Sequence, residues 1–240
     1  MGDHPFAVLL VALVAMVILA PSISTFGKFT ELFHGLRALT PLSLIVVAAS
    51  MLALWERARH HALHMFAAGV VILLLTIGSV ITHRAWFPFQ MAAQIIFQAY
   101  VLWVVMRAVF SERRVTGDVL CGAVSAYLLT GVLAGLVFVE IELFAPGSFR
   151  VTDWASSAPA QQASLINDPG WLMYFSFVTL TTVGYGDVLP VSSLARSASI
   201  TVAVIGQILL MVLIARLVAI NASQGTSDQN DGPVTGGPER

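Results

Sequence analysis

Long apolar runs separated by short polar segments dominate the chain: Phe6 to Ser24, Leu39 to Trp55, Ala62 to Thr82, Ala85 to Phe110, Val119 to Phe144 and Leu194 to Ala219. A membrane-crossing helix needs about 20 such residues, at ~1.5 Å rise each, to cover ~30 Å of hydrocarbon. The pattern therefore predicts an all-α membrane protein with six transmembrane helices, the first two slightly short. A further run, Trp171 to Thr182, is too short to span and is expected to enter the membrane and return. Lipid cannot satisfy the backbone groups of such a turn, which is tolerated only inside protein or along a wet cavity. The re-entrant segment thus predicts a pore or a binding site before any motif is considered.

The polar segments complete the layout. Residues 145–169, rich in Ser, Ala and Gly, read as an external loop, and residues 221–240 as a disordered cytoplasmic tail. Three regions follow: a four-helix N-terminal transmembrane region over 1–116, a pore domain over 117–220, and the tail over 221–240. Arg57 and Arg59, with Arg107, Arg113 and Arg114, follow the second and fourth runs, which places those loops and both termini in the cytoplasm. Lys28, Arg37, Arg84, Arg150 and Arg196 fall on the other side, so the bias is modest. The first run follows Gly2, Asp3, His4 and Pro5, whereas a secretory signal carries a basic flank, so it is expected to stay as a membrane helix of a multi-pass, bacterial inner-membrane type.

Composition excludes several classes. Of 240 residues, 58% are hydrophobic and only 10% charged, too few charges to solvate a globular surface of this size. Mean hydropathy is +0.86. The surface is expected to face lipid. A formal net charge of −1 argues against a nucleic-acid partner, which requires clustered Lys and Arg. The single cysteine, Cys121, cannot form an intrachain disulfide and reads as a small buried hydrophobe. No catalytic constellation stands out, so no enzymatic activity, soluble substrate or cofactor is expected.

Candidate chemistry lies in Thr182, Val183, Gly184, Tyr185 and Gly186, just past the re-entrant run. Selecting an ion requires its water shell to be replaced by rings of oxygens, and inward-pointing backbone carbonyls supply them. Gly184 and Gly186 permit the left-handed backbone this needs, free of a Cβ clash. Val183 and Tyr185 are then expected to turn outward and pack behind the strand, with the Thr182 hydroxyl adding an acceptor at the inner end.

The segment Thr181-Thr182-Val183-Gly184-Tyr185-Gly186-Asp187 resembles the signature sequence of potassium channels, and the resemblance extends over the last two spans, residues 119–219. It implies a homotetramer, since four filter strands must encircle an ion, with K+ as the permeant species. Asp168 is placed to cap the short pore helix and Pro169 to open its first turn, and the negative end of that helix would favour a cation. Where the family usually has Trp residues supporting the filter, this chain has Tyr174 and Phe175; Tyr174 retains a hydroxyl able to reach Asp187, and Phe175 does not, and packing of both in the membrane interface is the alternative. Asp187, Glu140, Glu142, Asp153 and Asp168, against Arg150 and Arg196, would concentrate cations at the outer mouth.

Gly206 lies midway along the last run, at a distance from the filter resembling that of a gating hinge; close helix packing is the alternative. With Gln207 facing the cavity, helical spacing brings Leu210, Ile214 and Val218 to the same side, where apolar rings could close the inner mouth by dewetting. Arg216 reads as an interfacial anchor, and Gly131 with Gly135 as a close helix contact. The fourth run carries Arg107 alone, at its end, so no conventional voltage sensor is expected. Gln90, Gln94 and Gln98 share one face of that run, either as hydrogen-bonding glue between helices or as a docking face. His60, His61 and His64 read as interfacial; the i, i+4 spacing of His60 and His64 also suits a metal, and pH sensing is the other rival. Two other functions remain open: a weakly selective cation channel, and a non-conducting membrane sensor or partner subunit that keeps the pore fold.

Overall fold

The computed structural model describes residues 5–23, 69–72, 74, 87–112, 116–152 and 170–230. The elements there are α1 (Pro5–Ile23), α2 (Phe87–Ser111), α3 (Gly117–Phe144), β1 (Phe149–Val151), α4 (Gly170–Leu180), β2 (Val188–Pro190) and α5 (Ser193–Asn230). Three described helical stretches are long and apolar enough to cross a membrane: Phe89–Ser111, Gly117–Phe144 and Ser193–Ala219. The predicted span over residues 39–55, most of that over 62–82, the three clustered histidines, Asp153, Asp168 and Pro169 lie outside the described residues.

Helix α3 is the hub, touching α1, α2, α4 and α5. It opens at Thr116, whose hydroxyl accepts from the Val119 amide at 3.3 Å, with Asp118 in the first turn against the positive helix end. The Asp118 Oδ1 also accepts from the Phe6 amide at 3.0 Å, which ties the start of α1 to that of α3. Small residues let the helices approach: a Cβ on Gly122 would meet Val109 at 2.9 Å, and one on Gly135 would meet Met173 Sδ at 2.6 Å. Gly131 is covered by the Phe177 ring. The close contact expected of Gly131 and Gly135 is therefore made with α4, the short helix in front of the filter residues.

Helix α5 starts at the Ser192 hydroxyl, which accepts from the Ala195 amide at 3.1 Å. Its buried or half-buried stripe runs Ala195, Ser199, Val202, Gly206, Leu209, Leu213 and Arg216, a 3.6-residue period. The other faces are exposed and apolar, as lipid or further subunits require. The helix runs on to Asn230, so residues 221–230 are helical where the sequence predicts a disordered tail. Adding a residue to an existing helix is far easier than nucleating one, which lets α5 extend into a polar sequence.

On α2, Gln90, Gln94 and Gln98 are all buried, which removes them from any docking face. Among the described residues, Gln94 Nε2 and the Gln98 side-chain amide have no hydrogen-bond partner.

Candidate functional site

The residues after α4 leave helical geometry at once. Thr181 closes the last turn through its amide to Phe177 O at 2.9 Å, and the amides of Val183 and Gly184 turn back to Val178 O at 3.0 and 3.4 Å. Then φ is positive at every second residue: 61° at Thr182, 61° at Gly184 and 79° at Gly186. An extended strand points successive carbonyls to opposite sides. Alternating left- and right-handed residues instead bring successive carbonyls round to one side, the arrangement a cation site needs.

The sequence accounts for two of these three positions, because glycine enters the left-handed region without a Cβ clash. Thr182 is the one that sequence reasoning missed. A β-branched residue there is strained by about 1–2 kcal/mol, and it is the one described non-glycine residue with positive φ. The strain sits where α4 ends against α3 and α5. There Tyr127 donates its hydroxyl to Leu180 O at 3.1 Å, and Gly206 lies so close that a Cβ would come within 2.8 Å of the same carbonyl oxygen. Tyr127 had no signal in the sequence, since its partner is 53 residues away.

At the other end, the chain leaves Gly186 into Asp187 and β2. Strand β2 pairs antiparallel with β1, Val151 opposite Val188 and Phe149 opposite Pro190. The ladder continues as far as the exit of the segment, where the Thr152 amide donates to Asp187 O at 2.7 Å. The Thr152 hydroxyl lies 2.7 Å from Gly186 O and 3.1 Å from Asp187 O. This strap is anchored to α3 by Glu142, whose two carboxylate oxygens accept from the amides of Gly147 at 2.7 Å and Phe149 at 3.0 Å. Glu142 is 2% exposed. Its carboxylate thus anchors the turn into β1 through two charge-assisted hydrogen bonds rather than standing free in solvent.

The two aromatic residues at the expected filter-support positions part company. Tyr174 donates to Asp187 Oδ2 at 2.7 Å and stacks on Tyr185 with centroids 6.3 Å apart and planes within 2°. Desolvation, then the bond and charge of Asp187 and the proximity of Tyr185, push the Tyr174 phenol up to about 12, so it remains a donor at neutral pH. Phe175 instead joins Phe138 and Phe149 in an aromatic cluster with centroids 5.2 and 5.6 Å from it. It supports the strap and α3 and makes no ring contact with Tyr185. Val183 and Tyr185, expected to pack behind the strand, are 52% and 68% exposed within one chain.

Along α5, Gln207, Leu210, Ile214 and Val218 are likewise exposed in the single chain. Gly206, by contrast, is buried against Leu180, with a hypothetical Cβ only 2.7 Å from Leu180 Cδ1. Close packing is what the structure gives this position. Near the end of the apolar part of α5, the Arg216 guanidinium donates to Phe110 O and, at 3.0 Å, to Glu112 O, and lies 4.7 Å over the Phe110 ring. It anchors the last carbonyls of α2 to α5, a more specific role than an interfacial anchor.

Residues 129–222 match the family model Ion_trans_2, described as an ion channel. The match supports an ion-channel pore module running from within α3 through α4 into α5. Protein LctB of Geobacillus stearothermophilus is 36% identical over 87 residues, 36% of this chain and 62% of that protein. The chain therefore spans less than two thirds of that relative's length. No solved structure matches.

Proposed function

We propose that the chain is one subunit of a homotetrameric potassium channel of the cell membrane, passing K+ down its gradient through Thr182, Val183, Gly184, Tyr185 and Gly186. The observation that carries this reading is the alternation of left-handed backbone at Thr182, Gly184 and Gly186 on that sequence. One strand offers carbonyls to only part of an ion's shell, and four strands around an axis complete it. The exposed Val183 and Tyr185 side chains and the exposed apolar faces of α5 are the surfaces such a ring would cover.

The remaining assignments follow from this reading. The protein is a non-enzymatic conductor in lipid, with no cofactor beyond the permeant ion and no nucleic-acid partner. Both termini are cytoplasmic, six helices span, and the filter opens outward. Asp187 and Tyr174 support the outer filter, and the Gln207, Leu210, Ile214 and Val218 faces line the inner mouth. Gating does not run through an arginine-bearing sensor.

The test is ion flux into proteoliposomes holding a potassium gradient. Expected is uptake of K+ and Rb+ with exclusion of Na+, abolished by Gly184→Ala. Comparable Na+ uptake would favour a weakly selective cation channel, and no flux from well-folded tetramers would favour a non-conducting subunit.

A further inference from the structure

Glycine at the outer end of the filter carries a liability. With φ at 79° and no side chain, the Gly186 peptide has little of its own to fix its orientation. Two groups hold the residues around it. From α4, Tyr174 holds the Asp187 side chain at 2.7 Å. From the strap, Thr152 holds the main chain: its amide takes Asp187 O at 2.7 Å, and its hydroxyl stands 2.7 Å from Gly186 O. The strap itself is rigidly based, since Glu142 ties its start to α3 and Ser148 O accepts from the Val191 amide at 2.7 Å.

We propose that Thr152 is a positioning residue for permeation: its hydroxyl fixes the Gly186 carbonyl and so sets how long the filter keeps its conducting shape. The inference rests on the potassium-channel reading and extends it to the loop after α3. The hydroxyl shares the outermost carbonyl with any ion bound there. Removing it frees the Gly186 peptide to rotate away from the axis, and an ion at the outer site, held by that carbonyl, opposes the rotation. Loss of conduction should therefore be faster without the hydroxyl and should be slowed by external K+.

Thr152→Val keeps the side-chain shape, the strand preference and the amide bond to Asp187, and removes the hydroxyl alone. Thr152→Ser keeps the hydroxyl. Purified channels are recorded in planar bilayers during sustained opening, at low and high external K+. Expected for Thr152→Val is current decay faster by on the order of tenfold, the size of one lost hydrogen bond, with a steeper dependence on external K+. Thr152→Ser should decay as the unsubstituted channel does. Equal decay in Thr152→Val and the unsubstituted channel, both selective for K+, would overturn this role alone. So would a Thr152→Ser channel that behaves like Thr152→Val, because packing and not the hydroxyl would then matter. An unsubstituted channel that is silent or unselective would overturn the potassium reading and this role together.

Discussion

Replacing Gly206 by Ala sets two effects against each other, and the structure says which is larger. In an open helix position the change would stabilise by about 1 kcal/mol, because alanine is the better helix former. Here the added methyl would stand 2.7 Å from Leu180 Cδ1 and 2.8 Å from Leu180 O. The side-chain atom can rotate; the carbonyl oxygen cannot, because it also accepts the Tyr127 hydroxyl and belongs to the last residue of α4. The clash has to be relieved by pushing α5 from α4, an overpacking strain of about 1–3 kcal/mol. A net destabilisation of roughly 1 kcal/mol is expected, read as a lowered temperature of thermal unfolding in detergent. Gly206→Ala with unchanged or raised thermal stability would refute the packing argument and return the position to the hinge reading.

Other substitutions probe single contacts. Glu142→Gln leaves one acceptor for two converging amides and turns an NH2 toward the other, so a loss of about 1–3 kcal/mol is expected in thermal unfolding. Tyr174→Phe should remove the bond to Asp187 and speed the decay of current. Because folding raises the Tyr174 pKa to about 12 from 10.0, its contribution is full below pH 10 and lost as pH rises from about 10 to 12. The stability gap between Tyr174→Phe and the unsubstituted protein should thus stay flat from pH 6 to 9, and a gap that vanished by pH 8 would contradict the assignment. Arg216→Ala should speed hydrogen exchange in the last turn of α2, whereas Arg216→Lys, with its charge but no fork, should restore part of the protection.

How much of this was legible in the sequence depended on the range of the interactions. The apolar runs that became α2, α3 and α5 needed only length and composition, and their ends moved by one or two residues except at the C-terminal end of α5, which runs on to Asn230. The alternating glycines were legible because the left-handed backbone has a residue-type signature. The same conformation at Thr182 had none, since a threonine is held there by its surroundings. Tyr127 and Thr152 reach backbone carbonyls 53 and 34 residues away, and no spacing rule marks such pairs. The anchoring role of Glu142 was hidden for a related reason: an acid next to a loop carries no mark of the turn amides it will bind. The β1 and β2 strap, three residues on each side, was too short to carry an alternation.

The central claim is selectivity, and a reversal potential tests it most directly. Purified protein in a planar bilayer, with K+ on one side and Na+ on the other, should reverse near the potassium equilibrium potential. Gly184→Ala should lose that potential, because it forces a Cβ into the left-handed position at φ 61°. A reversal potential near zero in the unsubstituted protein would contradict the account.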